Sequence, residues 1–301
     1  MKHGFKMNET HSKIKLWYLA TRPKTLPAAA APVIIGTAMA FGDGLGHWPS
    51  ALLALIVALL IQIGTNFSND YFDFVHGADT EERTGPMRLT QAGLIPPQTM
   101  KRAFILVFAL AFAGGLYLVF RGGWPILLIG VLSILFGVLY TGGPAPLGYV
   151  GLGDVFVLIF FGPVAVGGTY FVQALQINYV VIAAGISPGL IATAILVANN
   201  LRDIQTDKQA GKKTLAVRFG VTFSRRQYVL MIIIAVLIPP ALYLVTRQHP
   251  FSLATVFVLA VAAPAVRTIF NENGPVLNRV LADTGKILLW YSIVFSVGWL
   301  F

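Results

Sequence analysis

Residues 51–83 read ALLALIVALLIQIGTNFSNDYFDFVHGADTEER. The stretch opens on an uncharged apolar run and ends in a cluster of acids. A bilayer span needs about 20 predominantly apolar residues, and the run over 49–68 supplies them. At its end Asn66, Asp70 and Asp73 stand at i, i+4 and i+7, which share one face of a helix. Gly77 can end that helix, and Asp79 follows on the loop. Carboxylates one turn apart repel. The stripe therefore calls for a compensating cation, and Mg²⁺, which takes hard oxygen ligands, is the natural one.

Around this stretch the chain is apolar throughout. Of its 301 residues 56% are hydrophobic and 11% charged, and the mean hydropathy is +0.74. A soluble domain carries roughly 25% charged residues, so most of this surface must face lipid. Nine spans are expected, at about 25–42, 49–68, 102–120, 124–141, 153–173, 178–199, 228–246, 251–270 and 285–301. Pro27 and Pro32 interrupt the first, and kinks are expected at Pro188 and at Pro239-Pro240. The fold class is thus all-α, a polytopic membrane protein, with residues 1–301 forming one membrane-embedded domain. The polar, basic first residues lack a small-residue cleavage pattern, so the first span reads as part of the mature protein and not as a signal peptide. There are no cysteines, which excludes disulfides, thiolate catalysis and Cys-held metals.

The net charge of +10 is distributed by loop. With the N-terminus in the cytoplasm, 20 of the 22 Lys and Arg fall on the inner side, and only Arg121 and Arg247 lie outside. Eleven of the twelve acids fall on the inner side too, Asp43 being the exception. The positive-inside rule accounts for the bias. It implies a multi-pass protein of the cell inner membrane, with the N-terminus and the loops at about 66–100 and 199–227 cytoplasmic. Nucleic acid is not an expected partner, since no soluble module carries the charge. The lipid bilayer is one, and the sequence leaves the oligomeric state open.

A second polar cluster ends the sixth span, in VANNLRDIQTDKQAGKKTLAVRFG over 197–220. Asn199, Asp203 and Asp207 stand at i, i+4 and i+8, with Asn200 close to the same stripe. The two clusters lie four spans apart on one side, a weak internal repeat of the kind membrane folds show. A lone Asp at a helix end is usually solvated or a cap. Two Asn-Asp-Asp stripes in a chain with twelve acids point instead to function. Metal held from two helices grips a diphosphate, because Mg²⁺ is commonly bound by one or two carboxylates plus substrate phosphates. Arg88, Arg202, Lys212 and Lys213 can neutralise the remaining phosphate charge. A lipid-buried cavity would hold an apolar tail and exclude water from a carbocation. This reasoning reaches an allylic diphosphate. A cation transporter is the rival, but its acids belong near the bilayer midplane, whereas these lie at one edge.

The motifs resemble those of the UbiA superfamily of intramembrane prenyltransferases, NDxxDxxxD and DxxxD. Asp203 and Asp207 match the second. Asn69, Asp70 and Asp73 match the first, but Gly77 stands where its last acid belongs and Asp79 follows two residues later. That longer spacing resembles the branch that prenylates 1,4-dihydroxy-2-naphthoate in menaquinone synthesis. So do RPKTLPAAAAPVIIGTA from Arg22, LYTGGPAPLGYVGLGDVFV from Leu139 and FFGPVAVGGTYFVQ from Phe160. The resemblance implies nine helices around a central cavity, Mg²⁺ as cofactor, and polyprenyl diphosphate and an aromatic acceptor as partners. It implies decarboxylation on the way to demethylmenaquinone. Asp70, Asp73, Asp203 and Asp207 are then expected to hold metal, with Asp73 and Asp79 catalytic and Asp79 either a ligand or the base for the acceptor. Asn66, Asn69, Asn200, Arg22, Lys24, Arg88, Tyr140, Arg202, Lys212 and Lys213 are expected to meet substrate. Arg22 and Lys24 could equally anchor the first helix at the headgroups, and Tyr140 could be an interfacial aromatic. Rival acceptors are 4-hydroxybenzoate, a tocopherol-type head group and haem.

Overall fold

The computed structural model describes residues 12–77, 85 and 87–301. Regular structure among them is helical throughout. Lipid offers backbone amides no hydrogen-bond partner, and a helix satisfies them within itself. Eight segments are long and apolar enough to cross a bilayer: Lys13–Gly42, Trp48–Val75, Pro97–Gly122, Gly153–Ala174, Tyr179–Arg202, Leu215–Thr246, Pro250–Asn271 and Gly274–Leu300. A ninth apolar helix, Trp124–Leu139, is shorter, at 16 residues. These nine coincide with the nine expected spans, several running between one and about four turns further than hydropathy reached.

The first segment is α1 (Lys13–Ala20) and α2 (Leu26–Gly42), joined by a 3₁₀ turn at Pro23–Thr25. The next three helices are α3 (Trp48–Val75), α4 (Pro97–Gly122) and α5 (Trp124–Leu139). Helix α6 (Gly153–Ile159) continues through a π-helical turn, Phe160–Val164, into α7 (Ala165–Ala174). Helix α8 (Tyr179–Arg202) is followed by the short α9 (Ile204–Gln209) and by α10 (Leu215–Thr246). A 3₁₀ stretch, Pro250–Phe257, leads into α11 (Val258–Asn271), and α12 (Leu277–Leu300) closes the fold.

Two of the three buried apolar clusters among the described residues make up most of the core. One joins α2, α7, α8, α10, α11 and α12 around Ile35, Tyr170, Ile191, Tyr228, Ile269 and Tyr291. The other joins α1, α3 and α4 around Phe67, Met100, Phe104 and Phe108. Large apolar side chains on the outside, such as Phe120 at 89% exposure and Trp124 at 74%, face where lipid would lie. Helix α8 is enclosed on most sides, and its small residues let neighbours close in. A Cβ on Gly189 would lie 2.4 Å from the Leu158 carbonyl oxygen, and one on Gly162 would lie 2.8 Å from that of Gly185. Lipid gives helices no hydrophobic reason to associate, so such backbone contact is how membrane helices gain packing energy.

The helices run through Pro188, Pro239 and Pro240. Non-helical backbone appears instead at Gly162 and at Gly220. At Gly162 the next residue is Pro163, which has no N–H to donate, and the π turn absorbs the extra residue. At Gly220 φ is +81°, a conformation that favours glycine.

Candidate active site

A cavity of about 360 Å³ opens between α2, α3, α5, α6 and its π turn, and α8. One end is polar, lined by Arg22, Asn66, Asn69, Asp73, Arg88, Tyr140, Tyr149, Asn199, Asn200, Asp203, Asp207 and Lys212. The other is apolar, with Phe136, Phe156, Phe160 and Phe161 on its wall. The rings of Phe136 and Phe156 lie 4.7 Å apart and those of Phe136 and Phe160 5.4 Å apart, distances of favourable aromatic packing.

The first stripe lies on α3, which ends at Val75 with Gly77 at φ +63°, as the motif suggested. Asn66 Nδ2 donates to the Thr21 carbonyl at 2.8 Å and to Thr25 Oγ1 at 3.0 Å. That ties α3 to the turn holding Arg22, a non-glycine residue at φ +51°. Thr25 secures the same turn, its N–H and hydroxyl both donating to the Arg22 carbonyl. Asn69 accepts from the Thr141 hydroxyl at 2.9 Å. Asp73 is 2% exposed. Its Oδ2 pairs with Arg88 and its Oδ1 accepts from the Tyr149 hydroxyl at 2.7 Å.

The second stripe does not ride one helix. Helix α8 stops at Arg202, Asp203 leaves helical geometry at φ −95° and ψ 10°, and α9 resumes at Ile204. The Asp207 N–H still donates to the Asp203 carbonyl at 2.8 Å, so both acids stay on one side of the break. Asp203 is gripped by the Arg202 guanidinium, and Asp207 pairs with Lys212 at 3.1 Å. Each carboxylate on the cavity wall thus carries a cationic partner. A buried carboxylate without one would face a heavy desolvation penalty.

Four residues expected at substrate or metal stand off the cavity wall. Asp70 directs both oxygens at backbone, accepting the N–H groups of Leu89 and Thr90 at 3.1 Å each. Arg202 is consumed in holding neighbours: Nη2 reaches Asn199 at 2.8 Å, and Nη1 reaches Asn278 at 2.7 Å. Lys213 is exposed, and its backbone N–H docks on the Tyr149 carbonyl at 2.6 Å. Lys24 is exposed and lines a separate groove with Arg279, Asp283 and Lys286. Asp79 lies outside the described residues. Asp154 is buried and accepts from Gln227 Nε2 at 2.9 Å, a structural partner. His47 caps α3, and His249 stacks on Trp299. Sequence reasoning missed Tyr149, Thr141 and the phenylalanine wall. Tyr149 and Thr141 fall in the distinctive LYTGGPAPLGYVGLGDVFV stretch, but nothing in the spacing tied them to an aspartate.

Among the described residues no three acidic or histidine side chains converge on one point. The donor set still suits Mg²⁺. Asp73, Asp203 and Asp207 offer hard oxygens around one cavity, flanked by Asn66, Asn69, Asn199 and Asn200. An ion completed by substrate phosphates needs only one or two carboxylates.

The fold and the cavity define a polytopic membrane protein built around a chamber with one charged and one aromatic end. It belongs to the UbiA prenyltransferase family, whose model matches residues 29–298. The chain is 40% identical over 300 residues to the 1,4-dihydroxy-2-naphthoate octaprenyltransferase of Escherichia coli (strain K12), covering 95% of this chain and 96% of that one. It is 37% identical over 311 residues to the protein of the same name from Haemophilus influenzae, covering 96% of each. A solved UbiA homologue from Archaeoglobus fulgidus, bound to GPP and Mg²⁺, superposes with a TM-score of 0.69 at 16% identity, covering 94% of this chain and 99% of that one. At that identity the likeness shows the fold.

Proposed function

We propose that the chain transfers a polyprenyl group from its diphosphate to 1,4-dihydroxy-2-naphthoate, with loss of CO₂ and diphosphate, in menaquinone biosynthesis. The observation that carries the acceptor is the kinship to naphthoate octaprenyltransferases along nearly the whole chain. The cavity supports it, because a charged end next to an aromatic chamber suits a diphosphate attached to an isoprenoid. We assign Asp73, Asp203 and Asp207 to Mg²⁺, with Asn66, Asn69 and Asn200 beside them. Bound there, Mg²⁺ would neutralise the diphosphate and make it a better leaving group.

The remaining roles belong to side chains. Arg22, Arg88 and Lys212 orient the phosphates and take up charge as the carbon–oxygen bond breaks. Asp70 acts one step back, holding the backbone after Arg88 and so presenting its guanidinium. The phenylalanines on the cavity wall exclude water from the allylic cation. Tyr140, on the cavity wall, borders the acceptor. We further propose that Asp79, an aspartate being ordinarily ionised at neutral pH, either takes the proton from the acceptor or joins the metal ligands.

Purified protein supplied with one prenyl diphosphate, Mg²⁺ and a panel of aromatic acceptors tests this directly. The naphthoate should give a higher kcat/KM than 4-hydroxybenzoate. An equal or higher value for 4-hydroxybenzoate would remove the acceptor assignment and leave the family membership untouched.

A further inference from the structure

The connection between α5 and α6, residues 140–152, touches both motif regions. Tyr149 donates its hydroxyl to Asp73 Oδ1 at 2.7 Å. The Lys212 Nζ lies 4.7 Å from the centre of the same ring, and 3.1 Å from Asp207 Oδ1. The backbones are joined as well. Lys213 N–H donates to the Tyr149 carbonyl at 2.6 Å, and Arg218 Nη2 donates to the Val150 carbonyl at 2.8 Å. At Gly151, with φ +86°, a Cβ would lie 2.5 Å from the Lys213 carbonyl oxygen, so the two loops meet backbone to backbone.

We infer that Tyr149 is a positioning residue that couples the two aspartate clusters. The inference rests on reading Asp73 and Asp207 as parts of one diphosphate site. Aspartate has a broad, two-fold χ2 and does not hold its own plane. Arg88 on one oxygen of Asp73 and Tyr149 on the other fix that plane. Lysine carries its charge on a flexible four-carbon stem. The ring face of Tyr149 and the Asp207 carboxylate give the Lys212 ammonium a fixed seat on the cavity wall. One residue therefore sets an acid of the first cluster and a cation of the second before substrate arrives. The ordering cost of both is met in advance, which is how preorganisation raises affinity.

The full-length protein in detergent can be titrated calorimetrically with inorganic pyrophosphate in excess Mg²⁺. Tyr149→Phe keeps the ring and the backbone contacts and loses only the hydroxyl. It should weaken pyrophosphate binding about tenfold, the weight of one hydrogen bond to a charged group. The KM for prenyl diphosphate should rise by a similar factor, with kcat changing less and the acceptor KM unchanged. Tyr149→Leu also removes the ring and should weaken binding further. In that background Lys212→Met should cost less than it does in the unaltered protein, since the ammonium has already lost its seat. A loop strut with no other role would lower the thermal midpoint and leave these binding constants alone. Unaltered pyrophosphate affinity in Tyr149→Phe overturns the coupling, and so does an equal Lys212→Met effect in both backgrounds. If the unaltered protein itself fails to bind magnesium pyrophosphate, the diphosphate site falls first and the coupling with it. Tyr149→Phe settles the hydroxyl's part even where Tyr149→Leu does not fold.

Discussion

Asp70 and Asp73 are one helical turn apart and do different work. Asp73 reaches the cavity between Arg88 and Tyr149, while Asp70 clamps the Leu89 and Thr90 amides with both oxygens. Their substitutions should separate accordingly. Asp73→Asn should cut turnover at least about a hundredfold, because it removes a carboxylate from the proposed metal site; stranding the buried Arg88 should in addition lower stability by about 3–5 kcal/mol. Asp70→Asn should keep one backbone hydrogen bond and lose the other, at about 1–3 kcal/mol for the amide left unpaired. It should raise the KM for prenyl diphosphate without moving the half-saturating Mg²⁺ concentration. A large rise in that Mg²⁺ requirement for Asp70→Asn would return Asp70 to the metal. The residue pattern made both acids visible, since i, i+4 and i+7 spacing marks a stripe. It could not tell which acid turns inward, because that depends on amides some twenty residues further on.

At the scale of elements, hydropathy located the eight long spans among the described residues and the shorter α5, since a long apolar run in lipid has little alternative to a helix. The breaks were harder to see. Pro188, Pro239 and Pro240 lie inside continuous helices, and the departures from helical geometry fall at Gly162, Asp203 and Gly220. Proline in a membrane helix leaves a carbonyl that a neighbour can satisfy, so its effect is set by tertiary packing and not by its own presence. The Gly162, Gly185 and Gly189 contact is of the same kind: any glycine reads alike until the partner helix is known. Gly189→Val would push a side chain against the Leu158 carbonyl and the Gly162 backbone. The π turn beside the phenylalanine wall should then be displaced, lowering the thermal midpoint by several degrees and reducing turnover. A variant with unchanged melting and turnover would show that α6 and α8 are not held together at this point.

For the whole molecule, the Lys and Arg asymmetry predicts that both motif loops face the cytoplasm. The natural absence of cysteine makes the assignment easy to check. In intact cells a cysteine at Gln209, beside Asp207, should resist a membrane-impermeant maleimide, and one at His47, at the other end of α3, should react. The reverse pattern would invert the topology. The cavity was only half visible in the sequence. Two stripes on one side implied a shared site, but the α5–α6 loop that supplies Tyr149 carries no acid to announce it. The short α5 has its own consequence. Sixteen helical residues span about 24 Å, against about 30 Å of hydrocarbon in a typical bilayer. Its outer face is apolar, with Trp124, Leu127, Leu128, Val131 and Leu135 exposed, so the surrounding lipid must thin to meet it or the helix must be shielded by neighbours. Thinning there would draw headgroups and water down toward Tyr140 and Thr141, where α5 gives way to the cavity wall. A charged, water-borne aromatic would then travel less far through hydrocarbon to meet its partner, and bilayer thickness itself becomes a variable in how fast the two substrates find each other.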